Sequence, residues 1–165
     1  MIVKEGPASH SPFKLESLLT RLQSIDENIS GLGARFIHLI DSKKELDQKQ
    51  NDVLESILEY GPNWPLGVND GFKIFILPRF GTTSPWSSKA SDILKVCGLT
   101  SIEKIERGVA FTFALNNKDL MPNREAIELL YDRMTEVAIT DLGQAKEIFS
   151  SLKPKPFSEI DILSD

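Results

Sequence analysis

The chain has 165 residues, 41% of them hydrophobic, and a formal net charge of −5. That length encloses one core, or two small ones, without staples, and the acidic balance with singly scattered basic residues excludes a nucleic-acid backbone as the natural partner. A single cysteine, Cys97, permits no intrachain disulfide and points to a reducing, cytoplasmic setting. His10 and His38 have no neighbours at ligand spacing, so no metal site is expected. No apolar run reaches the ~20 residues that cross a bilayer, so no membrane partner is expected.

"MIVKEGPASH" lacks the basic start and apolar stretch of a signal peptide and reads as a short first strand. "SPFKLESLLTRLQSID" opens with Ser11 as N-cap and Pro12 at the first helical position. Its Leu15, Leu18, Leu19, Leu22 and Ile25 recur at helical spacing. After "ENISGLG", the run "ARFIHLID" has the density of a buried strand, with His38 as a hydrogen-bonded strand residue. "SKKELDQKQNDVLESILEYG" carries one apolar stripe at Leu46, Val53, Leu54, Ile57 and Leu58, and Gly61 and Pro62 stop it.

"FKIFILP", Phe72 to Pro78, is a strand by length and β-branching. Beyond it, Ser87 or Ser88 is expected to cap the helix "KASDILKVC", with Asp92 near its positive end, Cys97 buried and Gly98 in the C′ place. "SIEKIERGVAFTFAL" reads as two strands or one bent strand, Gly108 marking a bulge or tight turn. "MPNREAIELLYDRMTEVAI" places Asn123 before a helix with Ile127, Leu130, Tyr131 and Met134 on one stripe, ending in a β-branched tail. "LGQAKEIFSSL" is a last small helix, and the prolines of "KPKPFSEIDILSD" favour an extended connector. Glu103, Glu106, Asp132 and Glu136 read as solvated acids. These elements predict an α+β fold: a mixed or antiparallel sheet with helices packed on one face, arranged as two ferredoxin-like halves. The residues themselves show no internal repeat.

The stretch "RFGTTSPWSSKASDILKVCG", Arg79 to Gly98, is too rich in hydrogen-bonding groups for a plain connector. It fails as a phosphate-gripping loop, because Trp86 and Ser87 stand where that frame requires glycine and lysine. The G-x-S-x-G elbow of serine hydrolases is absent as well. Two readings remain. Free amides at a helix start, with Thr82, Thr83, Ser84, Ser87, Ser88 and Lys89, suit an anion or a carboxylate from elsewhere. The plainer reading, which spacing alone favours, is a capped turn in which Pro85 stiffens the loop, Trp86 buries its ring and the serines satisfy helix amides.

"GTTSPWSSKASDILKVCGL", then "IEKIERGVAF" and "LLYDRMTE", together with "SPFKLESLL", "YGP" and "LPRFGT", resembles the N-terminal region of the large single-chain phosphoribosylformylglycinamidine synthases. The resemblance implies a parent ligase of purine biosynthesis, an ATP-dependent glutamine amidotransferase that converts formylglycinamide ribonucleotide to its amidine. It also implies an N-terminal scaffold domain, residues 1–152, built like a dimer of the small separate subunit of the family, with residues 153–165 starting a linker. Catalytic groups, ATP and magnesium would belong to the absent synthase and glutaminase domains, and Cys97 does not match the glutaminase motif. The partners implied are those domains and the linker of the same full-length chain, with Thr82, Thr83, Ser84, Trp86, Ser87, Ser88, Lys89, Asp92, Arg107, Asp132 and Arg133 expected at an interdomain contact or in a loop at the synthase's substrate cleft. The competing reading is a free-standing ferredoxin-like module that binds a small anionic metabolite at the junction of loop and helix.

Overall fold

A computed structural model describes residues 1–150. Along the chain come β1 (Ile2–Ala8), α1 (Pro12–Gln23), β2 (Ile29–Ser42), α2 (Gln48–Leu58), β3 (Phe72–Pro78), α3 (Pro85–Val96), β4 (Ile102–Leu115), α4 (Arg124–Glu128), β5 (Glu136–Ile139) and a 3-10 helix, Leu142–Phe149. All strand pairs are antiparallel, in the order β1-β2-β4-β3-β5. The expected boundary at residue 152 and the connector 153–165 lie outside the described residues.

The sheet is organised around the β2–β4 seam, where two strands of 14 residues pair from Ile29 opposite Leu115 to Ser42 opposite Ile102. Because side chains alternate along a strand, Leu32, Ala34, Phe36, His38 and Ile40 share a face with Phe113, Phe111, Val109, Arg107 and Ile105. All four α-helices cover this face. Leu15 and Leu22 of α1 and Ala126 of α4 pack on Ile29, Leu32, Ile74 and Phe113, while Leu54 and Leu58 of α2 and Leu94 of α3 pack on Ile40, Ile102 and Ile105. Fully burying one such leucine contributes about 1.5–3 kcal/mol. On the opposite face the 3-10 helix seats Ala145 and Ile148 against Ile37, Leu39, Leu77 and Ala110.

The two halves are related by a pseudo-twofold axis. In each, a 7-residue strand, a 12-residue helix begun by Ser-Pro, and a 14-residue strand follow in turn, with the helix bridging antiparallel neighbours. One offset along the chain carries Ser11 onto Ser84, Ile29 onto Ile102, and Phe36 onto its own pairing partner Val109, so the axis passes through that pair. The ferredoxin-like halves are therefore present in one continuous sheet.

Several local expectations change. The first long strand begins at Ile29, because the stretch "ISGLG" pairs with the C-terminal end of β4; glycine is needed at Gly33, where the Val68 backbone crosses so close that a Cβ would lie 1.9 Å from its carbonyl oxygen. The second helix starts only at Gln48, where Asp47 and Gln50 form a reciprocal capping box. The cap of α3 is Ser84, not Ser87 or Ser88: its side chain accepts from the Ser87 amide at 3.0 Å and Pro85 supplies the first helical position. Asp92 consequently sits two turns into the helix, away from the positive end, and Cys97 is exposed while Leu99 takes the buried place after Gly98. Gly108 lies in an unbroken ladder opposite Ile37. A side chain there would meet Leu77 Cδ2 at 2.4 Å and the Ile76 oxygen at 2.6 Å, so the glycine serves close packing and not a bend. The helix after Asn123 ends at Glu128, because an Asp132 carboxylate that accepts from the Met134 amide turns the chain, leaving Met134 75% exposed.

Candidate functional site

The polar stretch divides into a locked part and a presented part. Ser84 donates from its amide to Glu106 Oε2 at 3.1 Å and from its hydroxyl to Oε1 at 2.5 Å, and Ser87 donates to the Ile105 carbonyl at 2.5 Å. Thr82 donates to the Arg79 carbonyl at 2.6 Å. Glu106 is fully buried, which corrects its reading as a solvated acid. Pairing of β3 with β4 stops at Ile76 opposite Val109, so the β4 edge at Glu106 is left to the loop before α3. The negative charge favoured at a helix start is thus supplied from within the chain. Around it, Thr83, Ser88 and Lys89 are exposed, and among the described residues their side chains make no hydrogen bond or ion pair.

The structure brings the residues singled out in sequence into two groups. In the first, the Arg79 amide donates to the Thr135 carbonyl at 2.9 Å and its guanidinium to the Met134 carbonyl at 3.4 Å. A cleft of about 290 Å³ results, lined by Thr82, Thr83, Ser84, Met134 and Thr135. Asp132 and Arg133 occupy the same turn, where Asp132 shapes the backbone and Arg133 pairs with Glu128 at 3.5 Å. Asp92 joins neither group; it is exposed and lies 4.0 Å from Lys95.

The second group centres on Arg107. Its guanidinium carbon lies 4.4 Å from the ring centre of Phe36, 4.8 Å from that of Trp86 and 5.9 Å from that of Tyr60. It donates to the Tyr60 oxygen at 3.4 Å, and that hydroxyl shares a 2.8 Å bond with His38 Nε2. His38 is fully buried, and burial, with the Arg107 charge beside it, lowers its pKa to about 4. The ring is therefore neutral near pH 7 and meets the phenol through Nε2; with Nε2 as acceptor, the Tyr60 oxygen stays free to accept from Arg107. Burial raises the Tyr60 pKa, opposed by the Arg107 bond and charge, so the phenol keeps its proton. Trp86 is half-buried, stacked 5.6 Å from His38, and with Lys89, Ile57 and Ile93 it lines a groove of about 280 Å³.

Phe36, His38 and Tyr60 were not among the site residues chosen from sequence. Alternation in "ARFIHLID" puts Phe36 and His38 on one face, but only the register of β2 against β4 sets them beside Arg107. Among the described residues, no helix is long and apolar enough to cross a membrane.

Residues 35–149 match the family model described as formylglycinamide ribonucleotide amidotransferase N-terminal. The matched span holds both residue groups, the Arg107 seam and the whole second half, while the "SPFKLESLL" helix precedes it. With well over half of its length matched, the chain belongs to the formylglycinamide ribonucleotide amidotransferase N-terminal family.

Proposed function

We propose that this domain is a docking scaffold in a ligase-type glutamine amidotransferase of purine biosynthesis, joining the synthase and glutaminase domains and helping to close the ammonia path between them. The contact edge is the loop 79–84 with the first turns of α3. One observation carries the reading: Thr83, Ser88 and Lys89 are exposed on a backbone that Ser84, Ser87 and Glu106 hold rigid from beneath. Polar groups presented by a fixed scaffold make contacts at low ordering cost. ATP, magnesium and the reacting groups belong to the partner domains in this reading. Binding of a small anion at the α3 start is disfavoured, because the anion would have to displace the buried Glu106 carboxylate.

The test is the ratio of glutamine hydrolysed to amidine formed by the full-length enzyme. Lys89→Ala and Ser88→Arg are expected to raise that ratio severalfold while leaving the melting temperature unchanged. A fully coupled enzyme with unaltered substrate affinity in both variants refutes the proposal.

A further inference from the structure

We infer that the groove between α2 and α3 is an anchor site for a protein segment that presents a carboxylate side chain next to an apolar one. This deepens the docking reading and rests on it for the identity of the partner as a neighbouring domain. The walls are apolar: Ile57, Leu58, Ala90 and Leu94, with Ile93 48% exposed at the rim. At the polar corner stand Arg107, Lys89 and the Tyr60 hydroxyl.

Charge sets the chemistry of the occupant. Arg107 gives one donor to Tyr60, and among the described residues no carboxylate lies within 4.0 Å of Arg107 or of Lys89. Phe36 and Trp86 clamp the guanidinium, so its free N–H groups are oriented before any ligand arrives. A carboxylate bonded there, shielded by apolar walls, makes a charge-assisted contact stronger than one on open surface. A volume of about 280 Å³, at the small end of the ~300–1,000 Å³ range of ligand pockets, accommodates one or two side chains, and the exposed Ile93 rim leaves it open to a protein segment.

The pseudo-twofold axis provides an internal comparison. It carries Ala34 onto Arg107, Phe13 onto Trp86, and Phe111, the partner of Ala34, onto His38, the partner of Arg107. In the first half Ala34 is buried, and Ile127, Leu130 and Tyr131 pack into the cluster around it. One half fills the space above its central strands with its own apolar chains. The other keeps it open and places a cation there.

The experiment uses the whole chain with Trp64→Phe, which leaves Trp86 as the one indole. The probes are the peptides acetyl-Leu-Glu-Phe-amide and acetyl-Leu-Gln-Phe-amide, titrated by Trp86 fluorescence. Saturable binding of the Glu peptide is expected, with the Gln peptide about tenfold weaker, and with about tenfold loss for the Glu peptide in Arg107→Gln. Ile93→Glu, which puts a carboxylate at an already exposed rim position, is expected to abolish binding while keeping the circular dichroism spectrum. It serves as the readout if Arg107→Gln does not fold. Equal affinity for the two peptides, or no saturation by about 10 mM, overturns the anchor. If Ser88→Arg uncouples the full-length enzyme while the peptides are not distinguished, the anchor fails and docking stands. Distinguished peptides with coupling intact support the anchor and refute docking.

Discussion

His38 and Gly108 occupy the seam for opposite reasons, one for its ring and one for having no side chain. Burial with the Arg107 charge lowers the His38 pKa from 6.5 to about 4, and burial with the Lys14 charge does the same for His10. A lowered folded-state value means the unfolded chain binds protons first. Stability from this source is therefore complete above pH 6.5, declines as the pH falls, and is gone below about pH 4. His38→Gln should flatten the fall in unfolding free energy between pH 7 and pH 4, read by chemical denaturation, by up to about 3 kcal/mol relative to the parent chain. Imidazole proton resonances that titrate near pH 6.5 would contradict the burial of both rings. Gly108→Ala should lower the unfolding free energy by about 1–3 kcal/mol and shift the β3–β4 backbone locally, because the added methyl meets the buried Leu77 side chain and the Ile76 carbonyl.

At the scale of elements, α1 and α3 start with the same Ser-Pro device but differ in what lies beneath the cap. The Ser11 hydroxyl accepts from the Lys14 amide at 3.3 Å and faces solvent. The Ser84 hydroxyl accepts from the Ser87 amide and also donates to the buried Glu106. Ser11→Ala should therefore cost about 1 kcal/mol, the loss of an ordinary cap. Ser84→Ala should cost about 2–3 kcal/mol, since it also removes a partner from a buried carboxylate. Equal losses in chemical denaturation would show that the Ser84–Glu106 bond contributes no net stability. α4 is short for a related reason: its helical spacing continues past Glu128, but the Asp132 side chain and the Glu136 carboxylate satisfy the amides of Met134 and Asp132 in a turn.

Over the whole molecule, the pseudo-twofold sheet is symmetric in its strands and asymmetric in what the helices enclose. The first half closes over Ala34 and Phe111, and the second leaves Arg107 caged by Phe36, Trp86 and Tyr60 beside an open groove. Trp86 links the two roles, packing on the core cluster of α2 and α3 while stacking on Arg107 and His38. Trp86→Ala should destabilise the domain by about 2–4 kcal/mol, a half-buried indole costing somewhat less than a fully buried one. It should also free the guanidinium, so that peptide affinity in the groove drops even where the domain is still folded. A thermal melt and a fluorine-labelled peptide titration read the two effects separately.

Apolar periodicity and turn chemistry made much of this architecture legible from the residues. Pro12 after Ser11 marked α1, the β-branched run marked β3, and the motifs around Gly81, Arg107 and Tyr131 pointed to the family. Local patterns are enough for these because caps, stripes and turns involve residues within a few positions of one another. The repeat of Ser-Pro at Ser11 and Ser84 was also in the sequence, yet its meaning emerged only when β2 and β4 paired about Phe36 and Val109. The burial of Glu106, the tight packing at Gly108 and the cage around Arg107 were decided by tertiary structure. Each depends on residues that are remote along the chain and are brought into contact only by sheet register and helix placement, and burial free energy in that assembled state, not spacing, determines which polar groups are enclosed and which are left facing out.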